Sequence, residues 1–132
     1  MVKRYGFGKD EKLKSRKSID ELFAKGKSFT IAPVRVSYIF SKSPESTKLL
    51  TGVTVSKKYF KKAVDRNRVK RLLREAYRLQ KNDLKELIIS RGLAGHVFFM
   101  YNGKEIANFQ VIMESINKCL QRLQKIAHED PT

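Results

Sequence analysis

The chain has 132 residues, of which 41% are hydrophobic, including eight Phe and five Tyr. This composition suits one domain with a buried core and excludes a disordered basic tail. Lys and Arg outnumber Asp and Glu by 29 to 13, and the formal net charge of +16 favours DNA, RNA or an anionic membrane surface as partner. No segment is long and apolar enough to span a bilayer as a helix.

The N-terminal residues, the cysteine and the histidines exclude further classes of protein. The first eight residues carry cations without an apolar stretch behind them, which does not fit a secretory signal, so we expect a cytoplasmic protein. Cys119 is the only cysteine, which excludes an internal disulfide, and its position on the apolar side of a helical pattern predicts a buried thiol. His96 and His128 lack metal-ligand spacing, so we predict no metal site in the chain.

The N-terminal part predicts an arm followed by a helix. Residues 1–12 are polar and basic and predict a flexible N-terminal arm. A helical pattern then runs from Leu13 to Gly26, with Gly26 as its C-terminal stop. The spacing of Ser18 and Glu21 predicts a capping box at its start.

Two strands and a turn follow. Residues 34–40 alternate, with Val34, Val36, Tyr38 and Phe40 on one face and Arg35, Ser37 and Ile39 on the other. A turn at 41–46 leads to a second strand at 49–56, which we expect to pair with the first. Residues 29–32 are a candidate for an additional strand.

The second half predicts helix, strand and helix. After the basic helix at 61–78, residues 83–89 form a short helix or an extension of it, and Gly92 and Gly95 break the chain before an apolar central strand at 97–101. Residues 107–127 follow helical spacing. The predicted fold class is α+β, a single-domain αβ sandwich of order α-β-β-(β)-α-β-α. Its one domain covers residues 13–127, and residues 128–132 form a disordered tail.

Residues 61–78 are at once a helix and a concentrated cationic surface. At about 100° per residue, the apolar positions fall on one arc: Val69, Leu72, Leu73 and Ala76. Asp65 is the predicted N-cap, accepting from the Arg68 amide. The polar positions opposite the arc, with the first-turn arginines, are the candidate anion-binding residues: Arg66, Asn67, Arg68, Lys70, Arg71, Arg74 and Arg78.

Much of the positive charge of the chain is concentrated in and around the basic helix. Between residues 57 and 81, eleven Lys or Arg stand against two acids. Such a run is usually a solvated helix face. Here, however, Arg71, Arg74 and Arg78 are like charges at neighbouring helical positions, a repulsive arrangement that an external anion relieves. We therefore favour a nucleic-acid partner.

The sequence contains no recognisable catalytic motif. The thirteen acids are scattered, without a close pair suited to two-metal hydrolysis, and there is no P-loop, Gly-x-Ser-x-Gly or zinc spacing. If the chain belongs to an enzyme, the reactive groups are expected elsewhere. A DNA-binding helix-turn-helix is disfavoured because strands flank the basic helix. A ribosomal or other structural RNA-binding protein is the alternative from a different class.

The order of elements and three motifs resemble the protein subunit of bacterial ribonuclease P. The motifs are Ser56-Lys57-Lys58, then Ala63-Val64, then Arg66-Asn67-Arg68-x-Lys70-Arg71-x-x-Arg74. The resemblance runs from about Leu13 to Leu123. It implies a ribonucleoprotein endonuclease that removes the 5′ leader from precursor tRNA, in which a large RNA holds the catalytic Mg²⁺ and the protein assists as a monomer in a 1:1 complex. It also implies a left-handed βαβ crossover, against the usual hand.

The resemblance assigns roles to particular residues. The Arg-Asn-Arg helix face, defined by the seven candidate residues above, is expected to contact the RNA subunit. A cleft between the first helix and an exposed sheet face is expected to bind the single-stranded leader, through Ile19, Phe23, one or both of Arg35 and Tyr38, and Lys57 and Lys58. For Phe23 and Tyr38 the alternative is ordinary core packing. Three features depart from the family: Ile19 stands where an aromatic is frequent, the connection at 59–62 is one residue longer, and residues 81–94 are extended.

Overall fold

A computed structural model describes residues 8–129, in which four helices pack on a four-stranded mixed sheet of order β1-β2-β4-β3. No helix in this part of the chain combines the length and the hydropathy that a membrane crossing needs. A short 3₁₀ turn at Lys9–Glu11 comes first. The elements that follow are α1 (Arg16–Lys25), β1 (Lys27–Ile31), β2 (Val34–Lys42), β3 (Lys48–Val55), α2 (Ala63–Gln80), α3 (Asn82–Ser90), β4 (Leu93–Tyr101) and α4 (Phe109–Glu129).

Strand β4 lies at the centre of the sheet, antiparallel to β2 and parallel to β3. The predicted pairing of β2 with β3 is therefore wrong, although the additional strand β1 is confirmed as the partner of β2. Strand β4 is apolar and almost entirely buried, so both of its edges need hydrogen-bonding partners. The loop after β2 crosses the start of β4, where the Ser43 amide donates to the Gly92 carbonyl at 2.8 Å.

The two glycines before the predicted central strand behave differently. Gly92 adopts a positive φ of 65° in the turn that enters β4, which a glycine allows without strain. Gly95, predicted as a break, lies inside β4 instead. A Cβ there would approach the Phe40 ring to 2.9 Å, so the missing side chain lets this ring pack across the strand.

The parallel pairing of β3 with β4 through α2 and α3 confirms the predicted βαβ crossover. The left hand of this crossover stays a prediction. Helix α3 is a separate helix, joined to α2 at Lys81.

The sheet has two different faces because side chains alternate along its strands. Val34, Val36, Tyr38 and Phe40 face the major core, which α2, α3 and α4 cover. The other face carries a smaller core under α1, formed by Leu13, Leu22 and Phe98 with Ile19, Ile39 and Leu50. Part of this second face is not covered by α1, and Arg35 is exposed on it.

The caps differ from the sequence prediction. Helix α1 begins after Ser15, whose side chain accepts from the Ser18 amide at 3.3 Å, so the capping box at Ser18 is wrong. Gly26 ends the helix as predicted. Helix α2 begins after Lys62 without a side-chain cap, and Asp65 lies in its first turn rather than at the N-cap. Its carboxylate there still interacts favourably with the helix dipole.

The structure describes part of each predicted terminal segment. Residues 1–7 of the predicted arm lie outside the described residues, but the following residues pack against the domain. The Glu11 carboxylate pairs with Lys81, and the Leu13 amide donates to the Thr51 carbonyl at 3.0 Å. At the other end α4 continues to Glu129, and residues 130–132 lie outside the described part.

Candidate nucleic-acid interface

Helix α2 has the two opposite faces that its periodicity predicts. Its apolar side is buried in the major core through Val69, Leu73, Ala76 and Tyr77. Its other side reaches solvent and carries Asn67, Arg68, Arg71 and Arg74, all of them exposed, while Lys70 is half-buried beside them.

Tyr77 fixes this helix on the sheet. The Thr51 hydroxyl on β3 donates to the Tyr77 phenol oxygen at 2.8 Å, and the Tyr77 ring lies 5.7 Å from the Phe99 ring on β4. Burial raises the pKa of Tyr77 far above its ordinary value, so the phenol stays neutral. The contact sets which side of α2 faces outward, and therefore the direction of its arginines.

Three of the cations counted in this region are occupied within the protein. Arg78 forms an ion pair with Glu75; the guanidinium lowers the pKa of that carboxyl, and the carboxylate raises the pKa of Arg78. The Arg66 guanidinium donates to the carbonyls of Phe60, at 2.9 Å, and Lys61, at 2.7 Å, and so holds the loop before α2. Lys81 is 1% exposed.

The remaining cations of α2 form a continuous surface, which we call the arginine face: Arg68, Arg71 and Arg74, with Asn67 and Lys70. The ion pairs found between residues 8 and 129 include none of these side chains. Their spacing of three residues places the arginines on neighbouring turns of one side of the helix. Their mutual repulsion makes this face suited to bind a polyanion.

A second surface lies between α1 and the sheet. The Phe23 side chain is 50% exposed and its ring packs edge to face on Phe98 of β4. Ile19 is half-buried in the small core beneath α1. Gly52 of β3 lies under Phe98, because a Cβ at this position would meet the Phe98 ring at 2.4 Å. The structure thus brings Ile19 and Phe23 together with an aromatic residue that sequence reasoning did not select.

The open part of the sheet extends this surface. Arg35 lies in register with Met100 of β4, and Ser37 with Phe98, so both β2 residues share the face that carries α1. The Arg35 guanidinium donates to the Ser28 hydroxyl at 3.4 Å. Tyr38 points to the opposite face, where it packs against Phe29 and Phe40. The structure therefore brings Arg35, but not Tyr38, to the predicted cleft.

Lys57 and Lys58 follow the end of β3 and are both exposed. The Lys58 ammonium lies 5.5 Å from the centroid of the Tyr59 ring, and Lys104 approaches the same ring at 6.0 Å. These cations continue the polar strip beyond the open sheet face. We call the surface from Phe23 across Arg35 to Lys57 and Lys58, where the sequence predicts that the 5′ leader binds, the leader track.

A groove of about 450 Å³ connects the leader track with the arginine face. Its lining includes Ile19, Phe98 and Arg74, together with Lys12 and Lys14. Strand alternation could have found Phe98, since it lies on the face opposite Val97 and Phe99. No sequence pattern predicts Lys12 at this groove, because its position there depends on a β-bridge to Thr51.

Between residues 8 and 129 no three His, Cys, Asp or Glu side chains are grouped so that they could hold a metal ion. The fold and the two surfaces define a class of protein: a single small α+β domain with a cationic helix face beside an aromatic groove, as in proteins that bind RNA.

Comparisons with known proteins identify the family within this class. The family model described as Ribonuclease P matches residues 7–124. A ribonuclease P protein component of Porphyromonas gingivalis is 37% identical over 119 residues, which cover 90% of this chain and 87% of the relative. That of Dictyoglomus turgidum is 40% identical over 82 residues, 62% of this chain and 66% of the relative.

Solved structures show the same fold. The ribonuclease P protein of Thermotoga maritima superposes with a TM-score of 0.65 at 25% identity, covering 85% of this chain and 96% of that one. The Staphylococcus aureus protein gives a TM-score of 0.63 at 24% identity, over 90% of this chain and 96% of that one. This chain belongs to the ribonuclease P protein family, a component of a tRNA-processing endoribonuclease, and membership implies association with ribonuclease P RNA.

Proposed function

We propose that the arginine face binds the ribonuclease P RNA and that the leader track binds the 5′ leader of precursor tRNA. In this role the chain assists an endonucleolytic cleavage that the RNA carries out. The catalytic Mg²⁺ would be held by the RNA, and one protein chain would assemble with one RNA.

The charge on α2 is the observation that supports RNA binding by the arginine face. Arg68, Arg71 and Arg74 lie on neighbouring turns, exposed and outside the ion pairs formed between residues 8 and 129. Guanidinium groups match phosphate oxygens with two parallel hydrogen bonds each. A folded RNA presents phosphates in a fixed array, so a rigid helix with several arginines on one side suits it better than a flexible chain would.

The second half is supported by the chemistry of the leader track. Phe23 offers an exposed ring that Phe98 holds in place, and Arg35, Lys57 and Lys58 supply cations along the same strip. Single-stranded RNA binds to such combinations because every base can stack and every phosphate is anionic. The groove beside Arg74 would let the leader continue toward the RNA subunit.

Reconstitution tests both halves together. The purified protein alone should leave precursor tRNA intact, and addition of ribonuclease P RNA at low Mg²⁺ should give leader removal. Affinity should increase with leader length until the track is filled and then stay constant. Cleavage by the protein without RNA, or an affinity for precursor tRNA that ignores leader length, would contradict the proposal.

A further inference from the structure

A pocket of about 250 Å³ lies at the edge of the sheet that is farthest from β3, where β1 is the outermost strand. The end of α1, the start of β1, the middle of β2 and the last turns of α4 form its walls. Lys25 and Lys27 stand at its rim, and Tyr38, Phe40 and Ile126 line it. The residues that line this pocket include none of Phe23, Arg35, Lys57 and Lys58, so it is distinct from the leader track.

Aromatic rings form a continuous row beside this pocket. The Tyr38 ring lies 5.5 Å from Phe40 and 5.8 Å from Phe29, and the Arg122 guanidinium of α4 covers Phe29 at 4.7 Å from the ring centroid. Phe40 is buried, whereas Tyr38 is only half-buried and its ring borders the pocket. The row therefore holds the half-buried Tyr38 ring between two aromatic neighbours at the wall of the pocket.

The rim of the pocket is cationic. Lys25 and Lys27 line the pocket and are exposed, and Arg122 and Lys125, which are not part of the lining, are exposed on α4, the helix that contributes Ile126 to it. None of these four side chains takes part in the ion pairs found between residues 8 and 129. An anion bound between Lys25 and Lys27 would thus face two positive charges without having to displace an acid from them.

We propose that this pocket binds one unpaired nucleotide of a single-stranded RNA, with the base against Tyr38 and the phosphate between Lys25 and Lys27. Drug-sized ligands occupy pockets of about 300–1,000 Å³, so this smaller pocket suits a single ring system. An acidic peptide would neutralise the lysines but would leave the aromatic wall unused. A nucleotide satisfies both, because bases stack on aromatic rings while phosphates pair with cations.

The site goes beyond the proposed leader and RNA-subunit contacts and does not depend on them. It would give the protein a third RNA contact, at the opposite edge of the sheet from β3.

Amide NMR spectra of the isotope-labelled full chain, titrated with uridine monophosphate and then with a five-nucleotide single-stranded RNA, test the inference. Both probes should shift the amides of Gly26, Ile39 and Ile126, and these shifts should saturate. Parallel titration with a glutamate-rich peptide, which can pair with the lysines but not stack on Tyr38, should shift these amides less than either RNA probe does. Shifts confined to α2 and the leader track would overturn the proposal, as would equal shifts from RNA and peptide.

Two variants separate the charge from the ring. In Tyr38→Leu the Kd derived from these shifts should rise about fivefold or more, as loss of one base stack predicts. In Lys25→Gln/Lys27→Gln the slope of log affinity against log salt should fall by roughly 1 to 2. Both lysines are exposed, so the double variant keeps the fold, and unchanged amide shifts elsewhere in its spectrum would confirm this.

The matched control, Arg71→Gln/Arg74→Gln, removes the same charge from α2 and should leave the Kd at this pocket unchanged. Equal weakening in both double variants would show only general charge attraction and would overturn the site.

Discussion

Phe23 and Phe98 pack edge to face, with ring centroids 5.5 Å apart and ring planes at 79°. This contact joins the outer side of α1 to the central strand β4, yet half of the Phe23 side chain stays exposed. A ring that is braced on one side and open on the other is pre-organised for stacking, because little conformational freedom is lost when a base arrives.

Replacing Phe23 by Leu keeps an apolar side chain but removes the aromatic face. We expect KM for precursor tRNA in the reconstituted enzyme to rise about fivefold or more, since one base stack contributes about 1–3 kcal/mol. Binding of mature tRNA, which has no leader, should not change. Ile89→Ala, which trims a side chain that is also 50% exposed but lies on α3, is the control and should alter neither value. If Phe23→Leu weakened the binding of precursor tRNA and of mature tRNA equally, this result would contradict a leader contact.

Gly52→Ala should displace the Phe98 ring, against which Phe23 packs. A Cβ at Gly52 would lie 2.4 Å from one Phe98 ring carbon and 2.6 Å from another, so the ring must move. We expect a loss of about 1–3 kcal/mol of stability in urea denaturation, as for overpacked cores, together with a higher KM for precursor tRNA. In Gly52→Ala/Phe98→Leu the smaller side chain should restore stability but not KM. A variant as stable as the parent protein would show that the ring adapts freely.

Arg71→Ala should weaken binding of the ribonuclease P RNA, and Arg68→Ala should do the same. Each lost phosphate contact lowers the slope of log affinity against log salt by roughly 1, and filter-binding titrations at several salt concentrations measure this slope. The matched control is Glu75→Gln/Arg78→Gln, which removes an internal ion pair without changing the net charge, and its slope should stay closer to that of the parent protein. An unchanged slope in both arginine variants would count against the arginine face as the RNA contact.

Lys81→Met should destabilise the fold because it leaves Glu11 without its most buried partner. The Lys81 side chain is 1% exposed and that of Glu11 is 13% exposed. Breaking a buried pair costs about 3–5 kcal/mol, although the remaining contact with Lys85 should keep the loss near the lower limit. The control Lys85→Met removes a 39% exposed partner and should cost about 0–1 kcal/mol in urea denaturation. Similar losses of stability in Lys81→Met and Lys85→Met would contradict the conclusion that Lys81 is the more important partner of Glu11.

The same carboxylate makes stability depend on pH. Burial by itself would raise the pKa of Glu11, but hydrogen bonds from Lys81, Lys85 and the Gly8 amide outweigh it and hold the pKa below its ordinary value of 4.5. A depressed folded-state pKa contributes stability that is present above the unfolded pKa and lost as the pH falls through the folded pKa. Glu11→Gln should therefore be less stable than the parent protein at neutral pH, and this difference should shrink below about pH 4.5. A difference that stays constant on acidification would refute the linkage.

Local periodicity predicted much of the fold and part of the candidate site. The two faces of α2, the buried Cys119 and the apolar central strand follow from residue spacing, because a helix or a strand places neighbouring residues by its own geometry. The alternation of β2 likewise separated Arg35 from Tyr38. It did not show which of the two faces α1 would cover, so the sequence predicts a cleft contact for one or both of these residues, and only Arg35 lies on the face that carries α1.

The sequence by itself thus determined the element types, the cationic side of α2 and the family motif. Only the tertiary structure decided that β4 separates β2 from β3 and that Lys81 is buried against Glu11. The physical reason is distance along the chain. Helical and strand periodicity arise between residues a few positions apart, whereas strand order and ion pairing depend on segments many residues apart whose meeting is set by the packing of the whole domain.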